Sequence, residues 1–202
     1  MSAKKLQLIE TAFDLFYRKG VHAVGINEVL KVSGVAKKTL YNHFSSKDEL
    51  LLAVLEYRDD RFCEWLERAC LEVVTGQASD RVLAVFDALD DWFNDRCDEL
   101  SPFRGCFFIN VSGEYGDPND PVYQHCALHK QRVRAIVQRV VSEGVYPALA
   151  DGQSEGVNEK VSLVDAICLL KEGAITQAYV SGDKDAALKA KEVARLLLVS
   201  GG

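Results

Sequence analysis

No stretch of this sequence alternates Val, Ile and Thr over the length of a strand, and no Asn-Gly or Asp-Gly pair joins two such stretches, so a sheet is not expected. Long apolar runs are also missing. No window reaches eighteen consecutive apolar residues, which excludes a membrane-spanning helix from the reading, and the opening Met1-Ser2-Ala3-Lys4-Lys5 leads into an amphipathic stretch, not a signal peptide. The six cysteines (Cys63, Cys70, Cys97, Cys106, Cys126, Cys168) include no C-x-x-C pair, and reduced cytoplasmic thiols are the expectation. Enzyme signatures are lacking too: no G-x-G-x-x-G, no phosphate loop, no G-x-S-x-G and no H-E-x-x-H. Proline is scarce, and Pro102, Pro118, Pro121 and Pro147 all fall where helices are expected to start or stop.

What is present is apolar residues at helical spacing. Hydrophobic residues make up 48 % of the chain, enough for a core. Leu6, Ile9, Phe13 and Phe16 form a stripe that predicts a helix over 3–19, ended by Gly20. Short helices are predicted at about 26–32 and 36–43, joined at Gly34. The pattern Ser46-Lys47-Asp48-Glu49 predicts a capping box opening a long helix to about residue 73, broken at Thr75-Gly76-Gln77. Further helices are predicted at about 79–98, 102–113, 120–144, 158–181 and 184–199, with 148–157 as loop. The fold class is therefore all-α.

Charge is unevenly spread. Residues 1–47 carry eight basic residues against three acidic ones, a net +5, so the rest of the −6 chain carries −11. A basic head on an acidic body suits a polyanionic partner at one end. The two short helices fit a helix-turn-helix: Ile26, Val29 and Leu30 offer an inner face on the first, and Val35, Ala36, Leu40 and Phe44 one around the second. Lys38, Tyr41 and Asn42 then project outward, flanked by Lys37, Thr39 and His43, as a helix that enters a major groove requires. Lys37, Lys38 and Lys47 sit in first turns, where the helix dipole disfavours cations and a bound phosphate would relieve the conflict.

The run Gly20 to Leu50 resembles the DNA-binding domain of TetR/AcrR-type transcriptional regulators. The string Lys38-Thr39-Leu40-Tyr41-Asn42-His43-Phe44 with Ser46-Lys47 carries the likeness most specifically. The resemblance implies an N-terminal three-helix DNA-binding domain over 1–47 and a larger helical ligand-binding and dimerisation domain over 48–202. It implies DNA contacts from Lys37, Lys38, Thr39, Tyr41, Asn42, His43 and Lys47, with Tyr41, His43 and Lys47 on phosphates and the others within reach of base edges. Gly25 and Ala36 depart from the family, which favours hydroxyl residues there; each removes a cap or a phosphate contact. The expected partners are a near-palindromic double-stranded operator, a second copy of the chain, and a small-molecule or electrophile effector, in the cytoplasm and without a membrane or cofactor.

The dimer expectation has independent support. Val161, Val164, Cys168 and Ile175 make one apolar face of the helix at 158–181, and Ile167, Leu170, Ala174 and Ala178 another; a helix apolar on two sides needs two neighbours. Ala186, Ala190, Val193 and Leu197 form a stripe on the last helix, so two copies would pair four helices. Effector-pocket candidates are Trp92, Phe93, Phe103, Phe107 and Tyr123, with His125 as a polar group. His125 and His129 have a metal-compatible spacing; no third ligand is evident by motif, although Cys126 and Cys106 could supply one, and a solvated or hydrogen-bonded pair is expected. Cys106, in Pro102-Phe103-Arg104-Gly105-Cys106-Phe107, resembles the cysteine of the family branch containing the N-ethylmaleimide reductase repressor, which implies electrophile or oxidant sensing; Arg104 and a helix start could activate it. Otherwise Cys106 is a small buried hydrophobe. Two other functions stand as alternatives: a thiol enzyme using Cys106 with His125, and an architectural DNA binder without a ligand.

Overall fold

The computed structural model describes residues 2–71, 73, 79–100, 102–145 and 157–200. These form helices α1 (Ala3–Lys19), α2 (Ile26–Ser33), α3 (Lys37–His43), α4 (Lys47–Leu71), α5 (Asp80–Phe93), α6 (Phe107–Glu114), α7 (Pro121–Val145), α8 (Val157–Val180) and α9 (Ala186–Ser200), with no strand among the described residues. The expected break at Thr75–Gln77, Pro147 and residues 148–156 of the expected 148–157 loop lie outside the described residues, while Val157 already belongs to α8.

Two compact units divide the chain, one of Met1–Asp60 with Cys106–Lys130, the other of Arg61–Gly105 with Gln131–Gly202, so the division falls within α4 and α7. In the first unit α1 starts at Ser2, whose hydroxyl accepts the Lys5 N–H at 3.2 Å, and stops at Gly20 with φ 86°. Its buried face is Leu8, Ile9, Ala12, Leu15 and Phe16. Leu6 and Phe13, expected in that stripe, are only half-buried; Phe13 instead stacks on Tyr17 and meets Phe107 edge-on, both centroids at 5.3 Å. Val29, Val35, Leu40, Phe44, Leu50 and Val54 complete the core around α1.

Sequence expectations fail most at the ends of α5 and α6. α5 stops at Phe93, five residues early, because Asp95 takes φ 56° and its carboxylate accepts the Phe103 N–H at 2.7 Å. α6 starts at Phe107, five residues late, because Gly105 turns at φ 77° and leaves Cys106 as the N-cap. α7 starts as Pro121 suggests, with Asp120 accepting the Val122 N–H at 2.7 Å.

In the second unit α5, α8 and α9 pack together. Val82, Val85, Phe86 and Leu89 of α5 are buried, as are Val164, Ile167, Ala174, Ile175 and Ala178 of α8 and Ala187, Ala190 and Ala194 of α9. The two-faced character of α8 is partly internal: Cys168 and Leu170 are half-buried, Leu169 is 73 % exposed, and the Val161 side chain lies outside the described residues.

Candidate nucleic-acid interface and effector site

The helix-turn-helix geometry follows from Gly34, which takes φ 66° and ψ 10° and closes α2 by donating to Leu30 O at 3.0 Å. Ser33 beside it accepts the Val35 N–H at 3.3 Å, and its carbonyl accepts from the Gln7 amide at 2.8 Å, pinning the turn to α1. Leu40 and Phe44 bury the inner side of α3. Ala36, expected on that side, is instead the exposed N-cap and makes no side-chain cap; Gly25 makes none for α2 either.

The outward side carries the predicted residues. Lys37, Lys38, Tyr41 and Asn42 are exposed, and Thr39 and His43 half-buried, so one short helix presents two ammonium groups, a phenol and an amide on a single face. Lys37 Nζ lies 5.9 Å from the Tyr41 ring centre. His43 Nε2 and Ser2 Oγ are 3.4 Å apart.

Lys47 is held differently from its neighbours. Its ammonium donates to Val21 O at 2.6 Å and lies over the Phe16 ring, so it braces the turn between α1 and α2. α4 starts with half of the expected capping box: Ser46 Oγ accepts the Glu49 N–H at 3.1 Å, but the Glu49 carboxylate reaches Ser45, accepting its N–H at 2.6 Å and its hydroxyl at 2.7 Å. Those bonds hold the Glu49 carboxyl below its ordinary value of 4.5.

A carboxylate outside α3 ties the elements of the first unit together. Glu114 ends α6, where a negative charge opposes the helix dipole and so requires a partner elsewhere. It finds one across the first unit: its carboxylate accepts the backbone N–H groups of Val21 at 2.7 Å and His22 at 2.6 Å. Next to it the Tyr115 hydroxyl donates to Asp48 at 3.1 Å, and burial together with Asp48 pushes that phenol well above its usual range. α6 is thus tied at its C-terminal end to both the α1–α2 turn and the start of α4.

The other end of α6 borders a cavity of about 290 Å³ lined by Phe108, Ile109, Ser112, Tyr123, Cys126, Ala127 and Lys130. Of the pocket residues expected from sequence, Tyr123 lines this cavity and His125 is half-buried on the same helix. Phe107 packs into the core against Phe13, Tyr17 and Phe108. Trp92, Phe93 and Phe103 lie in the second unit, where their ring centres are 4.7–6.0 Å apart. His129 is buried, stacked on Phe108 at 3.6 Å, and donates from Nδ1 to Asp59 at 2.6 Å. Cys106 is 7 % exposed, and Lys130 Nζ donates to its sulfur at 3.4 Å; Arg104 belongs to the other unit.

An apolar groove of about 680 Å³ runs between α8 and α9, lined among others by Leu169, Leu170, Gly173, Ala190, Val193 and Leu197. Leu169, Val180, Leu196 and Val199 lie 68–75 % exposed on these two helices.

Residues 8–54 match the family described as bacterial regulatory proteins, tetR family, and residues 78–194 match the tetracyclin repressor-like C-terminal domain. The chain is 34 % identical over 171 residues to the transcriptional regulator AcuR of Cereibacter sphaeroides, covering 85 % of this chain and 74 % of that one. It is 25 % identical over 137 residues to the repressor NemR of Escherichia coli K12, covering 68 % of this chain and 66 % of that one. Shorter matches reach regulators of Mycolicibacterium smegmatis and Bacillus subtilis, of whose lengths the chain spans 20–38 %. A solved TetR-family regulator from Streptomyces coelicolor superposes with TM-score 0.79 at 28 % identity, over 98 % of this chain and 95 % of that one. With both of its domains matched and its helix order shared with solved members, this chain belongs to the TetR family of bacterial regulatory proteins.

Proposed function

We propose that the protein is a transcriptional repressor: a dimer that holds a near-palindromic operator through α3 and releases it when a small molecule binds or Cys106 is modified. Residues 1–47 would serve as the DNA-binding domain and 48–202 as the effector and dimerisation domain, in the cytoplasm. The observation that carries the reading is the single exposed face of α3, with Lys37, Lys38, Tyr41 and Asn42 free of the core on a helix short enough to lie in a major groove. Asn42 reads a base edge, Tyr41 and His43 hold phosphates, and Lys38 and Thr39 do either. Lys47 acts mainly by fixing the turn that presents α3, since its ammonium already bonds Val21 O.

α6 supplies the link to an effector. Phe108, Ile109 and Ser112 on α6 line the cavity with Tyr123 of α7, and Glu114 at the end of α6 grips the turn at Val21 and His22. A ligand that shifts α6 moves that turn, and its binding energy biases the head between two positions. The exposed apolar face of α8 and α9 suits a second copy of the chain, because contiguous exposed apolar groups of this size are uncommon on a monomer. Regulation of this kind requires no turnover, so Cys106 is read as a target of modification and not as a catalytic nucleophile.

Binding of the purified protein to the DNA flanking its own gene, followed by fluorescence anisotropy against random duplex, tests the reading. Operator binding tighter by about 10³ or more at physiological salt is expected. Equal affinity for both duplexes would refute a specific repressor.

A further inference from the structure

Two thiols and one ammonium lie close together where the start of α6 meets α7. Cys106 is the N-cap of α6, and its sulfur receives the Lys130 ammonium at 3.4 Å. Cys126 lies one turn before Lys130 on α7, and both line the cavity of about 290 Å³. Each sulfur is largely shielded, Cys106 being 7 % and Cys126 4 % exposed, and the cavity is roomy enough for a small peroxide, since a water in the liquid takes up about 30 Å³. The charges of both Cys106 and Lys130 act on Cys126. A sole cysteine can only be modified; a pair that shares a cation, one member of it lining a cavity, can close on itself.

We propose that Cys106 and Cys126 form a peroxide-responsive dithiol, in which Lys130 supports the attacking sulfur and Cys126 resolves the oxidised one. The assignment deepens the sensing reading given above and rests on it for its use in regulation. The Cys106 thiolate attacks one oxygen of a hydroperoxide; an S–O bond forms, the O–O bond breaks, and the departing alkoxide or hydroxide takes up a proton. Cys106 is now a sulfenic acid. The Cys126 sulfur then attacks the Cys106 sulfur, an S–S bond forms, the S–O bond breaks, and the hydroxide leaves with the Cys126 proton as water. In sum, two thiols and one hydroperoxide give a disulfide, an alcohol (or water) and water. An ammonium beside the first sulfur stabilises charge as it develops there. Burial pushes the Cys126 thiol up to about 12, the charge of Cys106 adding to this and Lys130 opposing it, so Cys126 keeps its proton while Cys106 reacts. Oxidation of Cys106 to the neutral sulfenic acid removes that added charge, and Cys126 gives up its proton as it attacks.

The sequence makes the product easy to read. No Lys or Arg lies between Arg104 and Lys130, so trypsin releases Gly105–Lys130 as one peptide that holds Cys106 and Cys126 and none of the other four cysteines. Full-length protein treated with hydrogen peroxide should yield this peptide lighter by two hydrogen atoms, with the mass restored by dithiothreitol. Cys126→Ser should instead accumulate a sulfenic acid on Cys106 that dimedone traps. Cys126→Ala, which adds no polar atom to the core, guards against a folding defect in the first variant. Lys130→Met should slow the reaction about tenfold. A wild-type peptide whose two thiols stay free, or are oxidised separately, would overturn the assignment, as would Cys126 variants that give the wild-type product. Operator affinity measured on the same samples separates the two readings. Disulfide formation without loss of affinity keeps the dithiol and removes it from the sensing proposal; peroxide-driven release with both thiols free does the reverse.

Discussion

Gly34 and Gly105 both turn at positive φ, yet they should respond differently to the same substitution. A Cβ on Gly34 meets nothing within 4 Å, so Gly34→Ala costs only the left-handed backbone, about 1 kcal/mol. A Cβ on Gly105 would stand 2.8 Å from Cγ and Cδ1 of the Tyr179 ring, so Gly105→Ala adds a steric clash to the same backbone cost and should destabilise by about 2–3 kcal/mol. Urea denaturation of the two variants checks the order, and equal midpoints would contradict it. On α3, Tyr41→Ala should weaken binding to all duplexes alike, whereas Asn42→Ala should relax preference at one base pair at a cost of about 1–3 kcal/mol. Competition titrations over a panel of operator variants distinguish these outcomes. The exposed face of α3 was legible in the sequence because it depends on one local period: Leu40 and Phe44 go in, so Lys38, Tyr41 and Asn42 go out. The partners of Lys47, Glu114 and Lys130 were not legible. They lie 26, 93 and 24 residues away in the chain, and no periodicity reports on so distant a contact.

Helix ends show where local reading stops being sufficient. The start of α1 and the α2–α3 turn follow from Ser2 and Gly34, whose preferences and tertiary roles agree. α5 ends earlier than its periodicity implies because Asp95 adopts a left-handed conformation stabilised by the Phe103 N–H, and α6 starts later because Gly105 turns at positive φ. Two consequences are measurable. Ala36 caps α3 with no side-chain bond and is exposed, so Ala36→Ser should stabilise the protein by about 0.5–1 kcal/mol and raise its midpoint in thermal unfolding. Glu49 is the opposite case. Its carboxyl titrates lower in the folded state than its ordinary 4.5, so the stabilisation it supplies is fully present above the unfolded value and is lost as pH falls through the folded one. Glu49→Gln should therefore leave a chain less stable near neutral pH whose acid unfolding is less steep. An unchanged acid limb would show that Ser45 gains nothing from the charge.

The whole molecule combines a basic head with an acidic remainder, and one head alone makes a poor operator reader. Residues 1–47 carry net +5, enough for non-specific attraction to a polyanion, but specificity needs two α3 helices at about 34 Å on successive turns of the duplex. The face that would set this spacing is the one α8 and α9 leave open. There Leu169 is 73 % exposed and Leu196 68 % exposed, while Ala187 and Ala194 of α9 are buried inward, so the larger side chains of these helices point away from their own core. A carboxylate at either position would cost little in a monomer, since both side chains are already in water, but in a two-fold interface it would be buried twice without a partner. Leu169→Glu and Leu196→Glu should thus leave thermal unfolding of the isolated chain nearly unchanged and convert the protein to a monomer in sedimentation equilibrium. The loss of the second head should then lower operator affinity by about 10²–10⁴, because the linked binding event becomes a separate encounter. Affinity for random duplex, which depends on the lysines of one head, should fall far less. Monomers that still bound the operator at full strength would place the dimer interface, or the reading mode, elsewhere.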